Sequence, residues 1–319
     1  MSEPRPRIPP PGLRVAITGS SGLVGSTLVA KLRGAGHEIT RLVRQPEERQ
    51  PGIRLALWNP ARERLPGDAL EGHDVVIHLA GAGLDGGRWS AARKEEIRTS
   101  RVAGTALLCR TLAGLGQPPA VLLSASAVGY YGARPATEAV DESGPPGQGF
   151  LAGVCHRWEQ ATRPAEEAGI RVVKLRLGLV LSTAGGALGR MLPIFRRGLG
   201  GRLGSGRQVV SWIALREVPA IVQHLIAARD VSGPVNVVTP KAVSNAKLTR
   251  ELCAAVGTSE KLPVPAFALK LRFGREMAEE LLLSGAWVVP RRLLESGYRF
   301  RHPKLADALR TLLGGGSGR

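Results

Sequence analysis

Cysteine is scarce in this chain of 319 residues: there are three, Cys109, Cys155 and Cys253, set far apart and in no metal-like pair. That spacing offers neither a disulfide framework nor a cysteine-based metal centre, so no metal is expected, and buried thiols in a reducing cytoplasmic compartment are. Long apolar runs are missing too. No stretch reaches the ~20 residues of a membrane span, and the N-terminus has no apolar signal core, so no membrane partner is expected. Aromatic residues make up only 4 % of the chain, and none of the motifs that stack on or read bases is present. Acid is also in short supply, with 26 Asp and Glu against 44 Lys and Arg and a net charge of +18. A surplus of that size can mark a nucleic-acid binder. Here the bases are scattered over unrelated segments, Arg41, Arg98, Arg197 and Arg207 among them, so no specific nucleic-acid partner is expected.

Glycine, by contrast, is abundant at 41 residues, and three of them carry the strongest local signal. Val15, Ala16 and Ile17 form a short apolar run suited to a strand buried on both faces, and Leu23 to Arg33 follows with helical spacing of Leu23, Thr27, Leu28 and Leu32. Gly19, Gly22 and Gly25 sit at the junction. Gly19 suits the tight turn, Gly22 removes the Cβ that would block a pyrophosphate, and Gly25 lets the helix pack against the strand. The helix start then turns free N–H groups and a positive dipole end toward phosphate. A second strand, Glu38 to Val43, completes a βαβ unit. About 20 residues beyond the glycines a NAD site usually places an acid on the ribose 2′-OH, whereas an NADP site places Arg near the 2′-phosphate. The chain reads Thr40-Arg41-Leu42-Val43-Arg44 there, with no acid before Glu47. Arg44 is therefore expected to meet a 2′-phosphate with its planar, permanently charged fork, which makes NADP(H) the cofactor.

The remainder alternates. Ile53 to Trp58, Asp74 to Gly81, Ala120 to Ser124 and Arg171 to Leu175 read as strands, with helices from Ser90 to Leu115 and Val154 to Ala168. That pattern predicts an α/β fold of the Rossmann type, a doubly wound parallel sheet whose ligand lies across the carboxyl ends of the strands, where small Ala80 and Gly81 permit close approach. His78, inside an apolar strand, is expected to be a hydrogen-bonded core residue. Gly185 to Gly206 breaks the alternation as a long loop, and residues 182–212 are expected to contribute to the substrate site. From about Lys241 the pattern turns mainly helical, with Ser244 or Asn245 capping Ala246 to Val256 and Pro290 opening Arg291 to Glu295. The expected organisation is a flexible Pro-rich tail (1–12), a dinucleotide-binding domain (13–240), a small, mainly helical substrate-side lobe (241–313) and a short flexible tail (314–319).

Thr18 to Gly25, His78-Leu79-Ala80-Gly81, Arg88-Trp89, Ser100-Arg101, Ser124 to Gly132, Trp158-Glu159, Met191-Leu192-Pro193 and the closing Leu281 to Gly285, Pro290 to Leu293 and Gly297 to Phe300 form a recognisable set. Taken together, they resemble the extended short-chain dehydrogenase/reductase superfamily, and within it the NAD-dependent epimerase/dehydratase-like subgroup that carries an extra C-terminal domain of unassigned function. The likeness runs from Leu13 to Leu313. It implies NADP contacts at Gly19, Ser20, Ser21, Gly22, Leu23 and Val24, at Val43 and Arg44, at Leu79 and Ala80, next to the Gly81 already expected to flank the cofactor, and at Glu96, Arg101 and Val154. It also implies a small-molecule substrate and a homodimer paired through the helices near Ser90 and Val154.

The superfamily's chemistry needs a Tyr-x-x-x-Lys pair, in which Lys lowers the phenol's pKa and Tyr exchanges a proton while hydride moves at nicotinamide. Aligned between Tyr131-Gly132 and Trp158-Glu159, the expected Tyr falls on Phe150 and the expected Lys on Val154. Phe has no proton to exchange and Val no charge. Ser126 matches the serine that fixes the substrate oxygen, and Tyr130 and Tyr131 are the replacement acids at hand, although an unassisted phenol titrates near ~10. Walls of a substrate pocket are the other reading of both tyrosines. The subgroup's Trp-Ile-His-Ile-Asp-Asp stretch is altered to Trp212-Ile213-Ala214-Leu215-Arg216-Glu217, without its histidine. Two functions stay open: an NADP-dependent oxidoreductase or epimerase acting on a small molecule, sugar derivatives included, and a non-catalytic NADP(H)-binding sensor or scaffold.

Overall fold

Strands that are apolar on both faces need helices on both sides, and the chain supplies them in alternation. A computed structural model describes residues 7–48, 50–84 and 87–314. The chain runs β1 (Arg14–Thr18), α1 (Leu23–Gly34), β2 (Glu38–Val43), β3 (Ile53–Leu57), β4 (Val75–His78), α2 (Ala91–Ala113) and β5 (Val121–Ala127). It continues through α3 (Phe150–Gln160), α4 (Arg163–Glu167), β6 (Arg171–Leu177), α5 (Gly186–Arg196), α6 (Val218–Ala227) and β7 (Gly233–Val237). The last helices are α7 (Asn245–Ala255), α8 (Ala266–Phe273), α9 (Arg291–Glu295) and α10 (Leu305–Gly314). The seven strands form one parallel sheet in the order β7-β6-β5-β4-β1-β2-β3. Chain direction across the sheet reverses between β1 and β4, so a crevice opens at their carboxyl ends.

Two apolar layers flank the sheet. Val15, Ile17, Ile77 and Leu123 pack on α1 and α6 through Leu28, Leu32, Ile221 and Leu225. Ala16, Val76, Leu122 and Val172 pack on α2 and α4 through Leu108, Leu112 and Ala165. Neighbouring residues of one strand enter opposite layers because the pleat has a period of two. His78 is fully buried, its ring nitrogens 2.7 Å from Thr18 Oγ1 and 2.9 Å from Thr105 Oγ1. Burial pushes its pKa down to about 4, which keeps the ring neutral near pH 7. The three cysteines are free and buried.

Several sequence expectations change. The helix expected over Val154 to Ala168 starts at Phe150 and is broken into α3 and α4. Pro164 lacks the N–H that would carry the helix across Ala161 and Thr162. The loop expected over Gly185 to Gly206 is half helix: Leu188, Leu192 and Phe195 recur at helical spacing and are buried, which makes α5. Ser244 is the cap of α7, its Oγ accepting the Lys247 N–H at 3.2 Å, while Asn245 Oδ1 accepts the Leu203 N–H at 2.8 Å. Of the expected N-terminal tail, Met1 to Pro6 lie outside the described residues, but Arg7 to Gly12 rest on the body. There the Arg7 N–H donates to His224 Nδ1 at 3.1 Å, its guanidinium pairs with Asp230, and Pro9 is buried. At the other end Gly314 closes α10, and residues 315–319 lie outside the described residues.

Packing does not divide at residue 240. Leu188 and Leu192 of α5, Trp212, Leu248 and Leu252 of α7, and Leu309 of α10 share one cluster, while Leu293 and Tyr298 join the sheet's own layer. Glu217, the acid retained in the altered Trp212 to Glu217 stretch, is buried and ties the two together. It accepts the Tyr298 O–H at 2.6 Å and the N–H groups of Arg301 and His302 at 3.1 and 3.3 Å. No helix among the described residues is long and apolar enough to cross a membrane.

Candidate functional site

At the end of β1 the chain turns at Gly19 with φ +64°, a conformation that strains L side chains. A Cβ on Gly19 would lie 2.7 Å from the Leu79 carbonyl carbon and 2.8 Å from the Ala80 nitrogen, so the glycine also lets the end of β4 come alongside. A Cβ on Gly25 would lie 2.2 Å from the Gly19 oxygen, which makes Gly25 the contact between α1 and the turn. Gly22 differs: its Cβ would meet only the Gly19 oxygen, at 3.3 Å, and its outer side is open. Helix α1 begins there with no side-chain cap and no acid in its first turn, so its first N–H groups and dipole are available to an anion. Thr18 Oγ1 accepts the Leu79 and Ala80 N–H groups at 3.1 and 3.3 Å, fixing β4 against the turn. On the other side Gly185 and Gly186 bring the start of α5 against Leu23, where added Cβ atoms would stand 3.6 and 3.2 Å from its side chain. Backbone clearances and an open helix start together fit a dinucleotide's pyrophosphate.

At the end of β2, Val43 is buried and Arg44 is exposed, without an ion pair among the described residues. Ser20 is buried and Ser21 exposed. The structure adds Arg41, which sequence reading passed over as one more scattered base. Its Nε donates to Ser20 Oγ at 3.0 Å, and a terminal nitrogen lies 2.8 Å from the Glu47 carboxylate. The available signal is a charge on the face of the strand that otherwise carries Ile39 and Val43.

Across the crevice, the Arg101 guanidinium lies against Gly81, whose added Cβ would be 3.4 Å from Arg101 Cζ. It stacks 5.1 Å over Trp158, donates to the Ile97 carbonyl at 3.1 Å and has no ion pair among the described residues. Burial without a counter-charge pushes its pKa down. Glu96 is exposed, and its carboxylate is held 2.5 Å from Arg93.

Where a catalytic tyrosine would begin its motif, Phe150 is the first residue of α3, and buried Val154 lies one turn on. The Phe150 ring meets Trp89 edge-on at 5.2 Å, and Lys94 Nζ lies 4.8 Å over it. Lys94 in turn pairs with Glu276 at 2.8 Å. The N–H groups of Phe150 and Leu151 each donate to the Glu280 carboxylate at 2.8 Å. Gly149, at φ +105°, is what lets Glu280 approach, since a Cβ there would sit 2.8 Å from Oε1.

Ser126 and the tyrosines gather round a buried ion pair. Arg176 bonds Glu159 through two nitrogens, each at 2.8 Å, and donates a third bond to the Tyr131 hydroxyl at 2.8 Å. Tyr131 donates to Asn236 Oδ1 at 2.8 Å, and burial pushes its phenol up to about 12. Ser126 Oγ donates to Glu159 Oε1 at 2.7 Å. Both hydroxyls are thus held by the ion pair. Tyr130 carries the Arg176 guanidinium 3.5 Å over its ring, and its hydroxyl has no partner among the described residues. Cys155 is inert as a nucleophile, its thiol pushed up to about 12 by burial.

Residues 15–240 match the NAD dependent epimerase/dehydratase family. The chain belongs to that family. Residues 264–312 match a domain of unknown function, DUF1731. Epimerase family protein Mb2239 of Mycobacterium bovis is 44 % identical over 295 residues, covering 92 % of this chain and 96 % of its own. The crystal structure of human epimerase family protein SDR39U1 with NADPH superposes with a TM-score of 0.85 at 32 % identity, covering 95 % of this chain and 99 % of that one. A nucleoside-diphosphate sugar epimerase from Corynebacterium glutamicum gives 0.79 at 37 % identity, covering 97 % of this chain and 60 % of that one. Seen within the family, Glu276 and Glu280 both come from the DUF1731 segment, so that segment contacts the sheet domain where the missing tyrosine would stand.

Proposed function

We propose that this chain binds NADP(H) and acts as an oxidoreductase or epimerase on a small molecule held in the crevice between the sheet's carboxyl edge and the DUF1731 segment. The cradle of Gly19, Gly22 and Gly25 at an uncapped helix start carries the reading, with basic residues at the end of β2. NADP(H) would lie along Gly19 to Val24 with its 2′-phosphate toward Arg44, and when bound it supplies or accepts hydride. Human SDR39U1 with NADPH supports the cofactor, and the Corynebacterium protein supports a sugar-derived substrate. Of the two tyrosines that could replace the missing acid, Tyr130 keeps a hydroxyl with no protein partner among the described residues, and it is the proton donor in this reading. The buried thiols favour a cytoplasmic location, and the family resemblance favours a homodimer paired through α2 and α3. The test is a fluorescence titration with NADPH, then nucleotide oxidation followed across a panel of carbonyl compounds. Saturable binding with turnover of one panel member is the expected result. Absence of binding removes the reading altogether.

One observation favours a second reading, an NADP(H)-dependent sensor or scaffold without turnover. The start of α3 is capped by Glu280, and Ser126 and Tyr131 are bound to neighbouring side chains. Binding without oxidation of any panel member, together with a partner retained only in the presence of NADPH, would select it.

A further inference from the structure

Arg41 is a charge where the sheet has no structural use for one. It lies between Ile39 and Val43 on the α1 face of β2 and is only 7 % exposed. A guanidinium so placed needs an acceptor for its charge. It has two partners, and both belong to the mouth of the cradle: the Ser20 hydroxyl inside the glycine turn, and Glu47 from the segment just beyond Arg44. The two ends of the ion pair differ in freedom. Glu47 is 37 % exposed and stands on irregular chain, so its carboxylate can turn out to water, whereas Arg41 is held by the strand. Nε is taken by Ser20 and one terminal nitrogen by Glu47; the other terminal nitrogen makes no hydrogen bond among the described residues.

We propose that Arg41 is a ligand of the ribose 2′-phosphate beside Arg44, and that Glu47 is a tethered carboxylate holding that phosphate's place until NADP(H) displaces it. This rests on the NADP(H) reading of the glycine turn. A phosphate monoester brings about −1.5 to −2 charges and three acceptor oxygens, against one charge and two oxygens for the carboxylate, so it satisfies both terminal nitrogens where Glu47 satisfies one. A ribose 2′-OH carries no charge and cannot release Glu47 from Arg41. Discrimination between the two nucleotides therefore has a competitive part: Glu47 opposes NADPH and is indifferent to NADH.

Equilibrium titration of NADPH and NADH into the whole chain tests this, with Glu47→Gln, Arg41→Met and Arg41→Lys beside the unsubstituted protein. Glu47→Gln should tighten NADPH binding about threefold or more and leave NADH unchanged; Arg41→Met should weaken NADPH about tenfold or more and leave NADH unchanged. Arg41→Lys keeps the charge but loses the fork, and should fall between. Glu47 is near the surface, so its variant gives an answer even if Arg41→Met does not fold. An NADPH-to-NADH affinity ratio equal to that of the unsubstituted protein in every folded variant overturns the assignment while leaving the cofactor reading standing. Failure of the unsubstituted protein to bind either nucleotide overturns both.

Discussion

Tyr131 carries a phenol from which no proton can usefully leave. Its oxygen donates to Asn236 and accepts from Arg176, and burial holds its pKa up to about 12. Replacing it with Phe leaves the Asn236 oxygen and one Arg176 N–H without a partner in a closed space. Tyr131→Phe is expected to cost about 1–3 kcal/mol of stability in urea unfolding, with NADPH affinity unchanged. Tyr130→Phe should behave in the opposite way, leaving the unfolding midpoint close to that of the unsubstituted protein and abolishing any turnover found. Equal loss of turnover in both variants would give the buried phenol a chemical part. In the sequence Ser126 stands out by its match to the superfamily's serine, and Tyr130 and Tyr131 as the acids nearest to it. The sequence could not separate their hydroxyls: the groups that bind two of the three are Glu159 and Asn236, 33 and 105 residues further along the chain. Arg41 was hidden for a related reason, since what distinguishes it from other arginines is contact with Ser20 and Glu47, not its own identity.

The glycine turn was legible as an element because everything it does is local: a strand end, a backbone with one positive φ, and a helix start within a few residues. Two of its three glycines make separable predictions. At Gly22 an added methyl meets only the Gly19 oxygen at 3.3 Å, so Gly22→Ala should fold with little change in melting temperature yet weaken NADPH about tenfold or more, because the methyl stands in the pyrophosphate's path. At Gly25 the methyl would meet the Gly19 oxygen at 2.2 Å and Ser20 Cα at 2.8 Å, so Gly25→Ala should lose both thermal stability and binding. Paired melting curves and titrations check this, and equal melting temperatures for the two variants would contradict it. Helix α3 shows the opposite case at its start, where the cap is Glu280, in a segment with no local relation to it; its break at Pro164 is written in the sequence itself. Glu280→Ala should cost about 0.5–2 kcal/mol and speed hydrogen exchange at Phe150 and Leu151, since both N–H groups lose a charged acceptor at the positive end of the helix. Protection unchanged at those two amides would show that water serves the helix start equally well.

For the whole molecule, burial sets a stability that depends on pH in a definite direction. His78, His73, His37 and His224 are buried, and burial lowers the pKa of each below the ordinary imidazole value of 6.5, that of His78 to about 4. As pH falls below 6.5, the unfolded chain takes up protons that the native chain refuses, so stability is complete above that pH and drains away below it. The loss from His78 continues until its native ring charges near pH 4, and amounts to about 3 kcal/mol over that window. Glu142 opposes the trend at the acid end. Burial raises its carboxyl above the usual range, so its native form accepts a proton readily and its contribution recovers as pH drops. The expected result is a urea midpoint that is level from pH 8 to pH 6.5 and then falls steadily toward pH 4.5, read from tryptophan fluorescence. His224 makes the sharpest site for seeing this in the structure, because its Nδ1 accepts the Arg7 N–H and its Nε2 lies 2.9 Å from Ser296 Oγ. Protonating Nδ1 removes that acceptor, and because burial holds the His224 pKa below 6.5, the protection factor of the Arg7 amide should fall once pH has dropped under that lowered value, before the sheet opens. A midpoint that stays level to pH 5 would mean that these rings take up protons in the native protein as readily as in the unfolded chain, and so that water reaches them in the folded state.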